Sequence, residues 1–147
     1  MITFESIVVP TDFSENAKAS LPFATALAKQ FNGKIKLVHV FEEMRILGLH
    51  GQDVFERFMV GERIARESKL KEIADSLTIQ GIETKYCIVE GYPPTEILSV
   101  AKAVNADCIV IATHGRTGLA HTFLGSVAER VVRLSHCPVL TVRAPQD

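Results

Sequence analysis

The chain has 147 residues, 47% of them apolar and 22% charged, and its 16 basic and 17 acidic side chains leave a formal net charge of -1. A chain of this length buries roughly 70% of the surface that it would expose when unfolded, so it can build a core without disulfides or structural metals. The balanced charge, with no run of basic residues, argues against nucleic acid or an anionic membrane as the partner.

The cysteines and the N-terminus give an expectation about the compartment. The sequence has three cysteines, an odd number, and they lack CxxC spacing. We expect these residues, Cys87, Cys108 and Cys137, to be buried and reduced. The first ten residues lack a basic start, and no segment approaches the ~20 apolar residues of a membrane span. We therefore expect a cytoplasmic protein.

Short β-branched runs alternate with longer helical patterns, which is typical of a parallel sheet with helices on its faces. The first and fourth runs are almost entirely apolar, so we expect them to be central and covered on both faces. The second and third contain alternating polar residues and are expected nearer the periphery. The five predicted strands are Ser6–Pro10, Lys34–Phe41, 83–89, 107–112 and 138–142.

Apolar residues recur at steps of four and three from Ala17 to Phe31, which predicts one amphipathic helix. Pro22 lies inside this pattern, and we expect it to bend the helix rather than end it. Asn32 and Gly33 follow as a helix stop.

Three more helices are predicted farther along the chain. One begins at Pro93, one covers residues 126–134, and one covers roughly residues 56–77 with Gly81 as its stop. Residues 42–55 show little periodicity, and their role stays open. Without a repeat or linker, residues 1–147 are expected to form a single domain.

Two loops suit a ligand site. In open parallel sheets, ligands bind beyond the carboxyl ends of the strands, where the strand order reverses. The loop at residues 10–14 follows the first strand, and the loop at residues 113–126 follows the fourth. If both loops flank one reversal point, the first and fourth strands are neighbours, which favours an open α/β sheet in the order 3-2-1-4-5 with helices on both faces.

The second loop carries groups that suit a phosphate. Gly115 and Gly125 allow close approach of the backbone to an anion, and N–H groups at the start of the following helix can donate to it. Arg116 adds a cation that can hold phosphate in a bidentate manner, and the Ser126 hydroxyl can bind a phosphate oxygen or Mg²⁺. Ser126 can equally be a helix cap, with Glu129 completing a capping box.

The first loop carries a carboxylate. Asp12 lies just past a buried strand, where it can accept hydrogen bonds from ribose hydroxyls. It can equally cap the following helix, with Glu15 as the reciprocal partner. The residue types alone leave both roles open.

The histidines indicate neither a metal centre nor a nucleophile. His114 lies where it can contact phosphates or serve as a structural loop residue, and we expect His39 to be packed. His50, His121 and His136 share no ligand spacing, which argues against a zinc site. No Ser-His-Asp arrangement and no base that activates water is evident in the sequence.

Two segments resemble a known family. The run IVIATHGRTGLAHTFLGSVAERVVRLSHCPVLTV closely resembles the C-terminal signature of the universal stress protein family, and SIVVPTDFS resembles its first strand and loop. The resemblance covers the chain in order and length. The nucleotide-binding branch of that family has the pattern G-x-x-G-x9-G-[ST]. Gly115, Gly125 and Ser126 reproduce its last three fixed elements, and Ala112 stands in place of its first glycine.

The resemblance implies a Rossmann-like fold of the adenine nucleotide alpha hydrolase type, a homodimer, and ATP, ADP or AMP as the ligand. It implies that Val40 binds adenine through its backbone and that the residues around the two loops surround the rest of the nucleotide. The implied nucleotide-binding set is Pro10, Thr11, Asp12, Val40, Ala112, His114, Gly115, Arg116, Gly125, Ser126 and Val127.

Three functions stay open at this point. The favoured one is an ATP-binding regulatory module of the stress response that acts as a homodimer. The alternatives are a slow ATPase and a dimeric interaction protein without nucleotide binding. The fifth strand would be an apolar sheet edge, which favours pairing with a second copy, and Leu140→Pro is expected to disrupt that pairing. The expected interface residues are Pro138, Val139, Leu140, Thr141 and Val142.

Overall fold

A five-stranded, all-parallel sheet forms the centre of the molecule. The structure is a computed structural model that describes residues 1–42, 52–114 and 124–145. The strand order is β3-β2-β1-β4-β5, which confirms the predicted topology. The strands are β1 (Ser6–Pro10), β2 (Lys34–Phe41), β3 (Thr84–Glu90), β4 (Cys108–Ala112) and β5 (Val139–Val142).

Helices cover both faces of the sheet, as predicted. Side chains alternate between the two faces of a strand, so each strand contributes to two apolar layers. Ile7 and Val9 pack with α2 and α3 on one face, and Val8 packs with α4 and α5 on the other. The helices are α1 (Glu15–Lys18), α2 (Leu21–Phe31), α3 (Gln52–Ile79), α4 (Pro93–Ala103) and α5 (Ser126–Leu134).

The predicted strands are correct apart from small shifts at their ends. β1 and β4 are central and fully buried, as their apolar sequences indicate. β3 is an edge strand and β2 lies beside it, as the predicted order implies, although five residues of β2 are buried. Each of the last three predicted strands starts one residue later in the structure, and β3 also ends one residue later.

The prediction of one bent helix through Pro22 is wrong. Two helices occupy this segment, and Pro22 lies in the first turn of the second. Proline is tolerated there because a first-turn N–H has no intrahelical acceptor. Ser20 lies at the break, fully buried, and its hydroxyl donates to the Ala17 carbonyl at 2.7 Å. Asn32 ends α2 in the left-handed conformation with a φ of 52°, as the predicted stop requires.

Helix α3 is longer than predicted and starts at Gln52 rather than near residue 56. Its C-terminal half packs on the sheet through Leu70, Ala74 and Leu77, all of which are buried. Gly81 follows the helix with a φ of 87°, so it provides the predicted stop.

The cysteines are free, but only one of the three is buried. Cys108 is buried, whereas Cys87 and Cys137 are half-buried, so the expectation of three buried thiols is wrong in part. Burial raises the pKa of both Cys87 and Cys108. Across the described ranges, no helix has the length and apolar content needed to cross a membrane.

Candidate functional site

The candidate site lies beyond the carboxyl ends of β1 and β4, where the strand order reverses and open α/β sheets form their ligand-binding crevice. Their ladder ends at Val8 and Ile109, although the strands continue to Pro10 and Ala112. The amide of Asp107 donates to the Ser6 carbonyl at 2.8 Å, so the even-numbered residues of β1 direct their backbone groups towards β4. Pro10 is in this set and has no N–H to donate. The hydrogen-bonded ladder therefore ends before Pro10, near the carboxyl ends of the two strands, at the point where the strand order reverses.

The backbone of Val40 faces the same crevice from the other side of β1. The Thr11 amide donates to the Val38 carbonyl at 2.9 Å, so Val38 directs its backbone groups towards β1. Backbone direction alternates along a strand, and Val40 therefore points its N–H and carbonyl the same way, past the end of β1. A donor and an acceptor side by side match the hydrogen-bonding edge of adenine.

Side chains hold the loop after β1 in shape. The Thr11 hydroxyl accepts from the Phe13 amide at 3.0 Å, and Asp12 Oδ1 accepts from the Ser14 amide at 3.0 Å and from the Ser14 hydroxyl at 2.5 Å. Ser14 is the cap of α1, because its Oγ accepts from the Ala17 amide at 3.1 Å. Asp12 thus supports the cap and is not the cap itself.

The proposed capping pair between Asp12 and Glu15 is therefore wrong. Glu15 forms an ion pair with Lys18, with Nζ and Oε1 2.7 Å apart. Asp12 and Ser14 both carry a side-chain oxygen near the start of this helix. It is Ser14 that accepts from the amide of Ala17.

A buried histidine braces the same loop, and sequence reasoning missed this role. His39 is buried, as expected, and its Nδ1 lies 2.8 Å from the Thr11 carbonyl oxygen. Arg66 Nη1 lies 3.1 Å from His39 Nε2. Because a carbonyl only accepts and a guanidinium only donates, the ring is the neutral tautomer with its proton on Nδ1.

The brace extends to the ring of Phe13, a residue in a rare backbone conformation. Phe13 has a φ of 65°, which non-glycine residues seldom adopt, and its ring packs on His39 at 4.5 Å between centroids. Lys69 Nζ lies 5.5 Å from the Phe13 centroid. Helix α3 therefore supplies both Arg66 and Lys69 to a layer that supports the loop. The signal available in the sequence was the position of His39 at the end of a strand next to β1.

On the opposite side of the crevice, backbone hydrogen bonds connect the two described ends of the loop after β4. The Thr113 amide donates to the Val142 carbonyl at 2.8 Å, and the Gly125 amide donates to the Thr113 carbonyl at 2.5 Å. The Thr113 hydroxyl lies 2.9 Å from His114 Nδ1. These bonds join the end of β4 to the start of α5, and they place His114 beside Gly125.

Gly125 is required by close approach rather than by its backbone angles. Its φ is -65°, which any residue can adopt. A Cβ at this position would lie 2.9 Å from the Thr113 carbonyl oxygen, which is closer than real contacts allow. The glycine therefore permits the crossing of two backbone segments at the rim of the crevice.

Gly125, and not Ser126, is the N-cap of α5, so the predicted capping box is wrong. Ser126 is the first helical residue, and Glu129 pairs with Arg133. As a glycine, Gly125 has no side chain to accept from the first-turn amides. The first-turn amides, including those of Ser126 and Val127, have no intrahelical acceptor and carry the positive end of the helix dipole, which suits an anion.

The described residues of the predicted nucleotide-binding set lie at or near the carboxyl ends of β1, β2 and β4 and at the start of α5. Pro10, Thr11 and Asp12 lie on one side of the crevice, and Ala112 and His114 on the other. Gly115 and Arg116 lie outside the described residues. Within the described ranges, no group of three or more His, Cys, Asp or Glu residues could hold a metal ion.

The chain belongs to the universal stress protein family. The model of that family matches residues 3–143. This match covers both loops and all five strands, so it confirms the resemblance seen in the sequence.

Similar proteins share both the sequence and the fold over nearly the whole chain. Universal stress protein MJ0531 of Methanocaldococcus jannaschii is 34% identical over 145 residues, which are 97% of this chain and 84% of that protein. The solved structure of MJ0577 from the same organism is 30% identical and superposes with a TM-score of 0.88, covering 99% of this chain and 100% of that one.

A second similar structure contains a ligand. It is the universal stress protein from Archaeoglobus fulgidus in complex with dAMP, which has a TM-score of 0.66 and 23% identity, covering 96% of this chain and 98% of that chain. At this identity the likeness demonstrates a shared fold. The ligand in that protein is an adenine nucleotide.

Proposed function

We propose that this chain binds an adenine nucleotide, ATP or its hydrolysis products, in the crevice between β1 and β4, and that it acts as a homodimeric regulatory protein of the stress response. The observation that carries the proposal is the strand order β3-β2-β1-β4-β5, which places the loops after β1 and β4 side by side at the reversal point of the sheet. Open α/β folds bind nucleotides at this point. The dAMP complex of a family member is consistent with this ligand class.

The two rims of the crevice suit the two ends of a nucleotide. Val40 offers a backbone donor and acceptor for adenine, and Asp12 brings a carboxylate near the position for ribose hydroxyls. The uncapped start of α5, with Gly125, Ser126 and Val127, offers amides to phosphate oxygens. Arg116 is proposed to add charge at the phosphates, and Ser126 is a candidate for a bound Mg²⁺ through a phosphate oxygen.

We also propose that the protein works in the cytoplasm. The three thiols are free, and a reducing compartment keeps them so.

The nucleotide experiment uses the freshly purified chain. Denaturing it and identifying any released nucleotide by mass spectrometry tests the ligand class, and titration with ATP, ADP, AMP and adenosine in a calorimeter ranks them. Binding without phosphate release supports a regulatory module. Steady ATP turnover would instead assign an ATPase, and no binding of any adenine compound would overturn the proposal.

The proposed dimer forms through the free edge of β5. Pro138 accepts from the Ile109 amide at 3.0 Å and Val142 from the Thr113 amide at 2.8 Å, so the even-numbered residues of β5 face β4. By alternation, Val139 and Thr141 direct their N–H and carbonyl groups outward. An edge with these open groups can pair with the same strand of a second copy about a two-fold axis.

This register changes the proline test. Leu140 faces β4, so Leu140→Pro removes a donor inside the sheet and destabilises the chain itself, which makes the test suggested by the sequence unsuitable. Thr141→Pro removes an outward donor and is the appropriate variant. Light scattering should give twice the chain mass for wild type and a shift towards monomer for Thr141→Pro, with Thr141→Val unchanged. A wild type that stays monomeric at micromolar concentration would contradict the dimer.

A further inference from the structure

The outward side of α3 carries a stripe of six exposed residues. They recur at steps of four and three, an average of 3.6 residues, so they share one side of the helix over about 27 Å. The opposite side of the helix faces the rest of the molecule. Its residues Phe55, Met59, Glu62 and Arg66 are half-buried. The outward stripe consists of Asp53, Arg57, Val60, Ile64, Glu67 and Lys71.

The order of residues in this stripe is self-complementary. If two copies of α3 are placed antiparallel with residue 62 at the same level, residues at equal distances from 62 lie opposite each other. Asp53 of one copy then lies opposite Lys71 of the other, Arg57 opposite Glu67, and Val60 opposite Ile64. Two are pairs of opposite charge and the third is apolar. Residues at steps of four and three occupy the two core positions of a heptad. In an antiparallel pair of helices, one kind of core position lies opposite the other kind across the interface.

The charges of the stripe are available for a partner. In the described ranges, the ion pairs of the neighbouring α3 residues are internal, as in Arg63 with Glu90 and Arg66 with Glu62, whereas Arg57 and Glu67 take part in no ion pair. Lys71 Nζ lies 2.7 Å from Asp75 Oδ2, and its ammonium has further donors.

The apolar centre of the stripe is open to solvent. The exposed fraction is 58% for Val60 and 63% for Ile64. Across a two-fold axis at the level of residue 62, each Val60 would meet an Ile64 of the other copy, and both pairs would lose contact with water. The pairs of opposite charge would lie on either side of this apolar centre.

We propose that α3 is a second self-association surface, through which two copies of the chain pair in antiparallel orientation about a two-fold axis at residue 62. The occupant is a second copy because the charge order complements itself. The surface lies on α3, away from β5, so dimers formed through β5 would assemble further through α3. So small an interface forms a weak, reversible contact that depends on protein concentration and salt.

Charge reversal tests the pairing without disturbing the core. In Arg57→Glu, the new glutamate faces Glu67 of the other copy twice per interface, and in Glu67→Arg two arginines meet. Sedimentation equilibrium of the full chain should show either single variant weakening this association about tenfold. The double variant R57E/E67R restores complementarity within one sequence and should associate as wild type does.

Mixing the two single variants gives the decisive measurement. Arg57→Glu and Glu67→Arg associate poorly alone, but both charge pairs are favourable in their mixed complex, so an equimolar mixture should regain the heavier species. Phe58→Asp is the control, because Phe58 is an exposed apolar residue of α3 that lies off the stripe. It should leave association unchanged, whereas Val60→Asp should abolish it.

Several outcomes would overturn the proposal. They are an unchanged association constant in Arg57→Glu, a double variant as weak as the singles, and a mixture that does not recover. None of these measurements requires nucleotide, and a chain that fails to dimerise through β5 would still form pairs sensitive to charge reversal on α3. Failure here is therefore distinguishable from failure of the proposed nucleotide-binding dimer.

Discussion

The two rims of the crevice, which are the loops after β1 and after β4, have equivalent positions in the fold and are built differently. After β1, side chains hold the loop, with Thr11, Asp12 and Ser14 bonding within it and His39 bracing it from below. After β4, backbone groups make the described contacts between the end of the strand and the start of α5, and the critical feature is the absence of a side chain at Gly125. The first rim is sensitive to removal of atoms, whereas the second is sensitive to their addition.

The largest expected effect comes from adding atoms to the second rim. Gly125→Val places a branched side chain against the Thr113 carbonyl, so the turn must shift and the amides of α5 lose their alignment. We expect the free energy of unfolding to fall by about 1–3 kcal/mol and ATP binding to be lost. Calorimetry with ATP and denaturant unfolding measure the two effects.

A matched glycine controls this prediction. Gly61 lies within α3, and a Cβ there would meet no heavy atom within 4 Å. Gly61→Ala should raise the free energy of unfolding by up to about 1 kcal/mol and leave ATP affinity unchanged. Native ATP affinity in Gly125→Val would show that the close approach at this rim is not needed for binding.

Removing the brace from the first rim should have the next largest effect. His39→Ala leaves the Thr11 carbonyl and Arg66 without their partner in a buried place and opens a cavity beside Phe13. We expect the free energy of unfolding to fall by about 1–3 kcal/mol, and the binding of ATP and of adenosine to weaken without being lost. His39→Asn keeps a donor near the position of Nδ1 and should recover part of both. Equal stability of His39→Ala and wild type would refute the brace.

Arg116 separates phosphate binding from adenosine binding. If its guanidinium contacts phosphate, Arg116→Ala should cost about 1.5–3 kcal/mol in ATP affinity and far less in adenosine affinity. Arg133→Ala makes the same change of net charge in the last turn of α5 and serves as the control. Equal losses for ATP and adenosine would mean that Arg116 acts on the fold.

The smallest expected effect is at Asp12. Asp12→Ala removes an acceptor from the Ser14 amide and hydroxyl, which should lower the free energy of unfolding by about 1 kcal/mol. Adenosine and ATP should lose affinity by the same factor, because the ribose is common to both. Asp12→Asn keeps an oxygen acceptor and should be more stable than Asp12→Ala, and a larger loss for ATP than for adenosine would place Asp12 at the phosphates.

The sheet order, and with it the place of the candidate site in the fold, was predictable because its signals are local. Continuous apolar runs marked β1 and β4 as central, and the two loops after them implied adjacent strands. The cap of α1 was not predictable, since Asp12 and Ser14 both carry suitable oxygens and only the backbone path decides between them. The contact of His39 with Thr11 joins residues 28 positions apart, and it becomes visible only when β2 lies beside β1.

The end of the β1–β4 ladder at Val8 and Ile109 has a consequence for the proposed binding of a nucleotide. The paired residues lie in the buried part of both strands, before the loops of the candidate site. If a nucleotide binds at those loops, the amides of the paired region should exchange their hydrogens with solvent at the same slow rate with and without it.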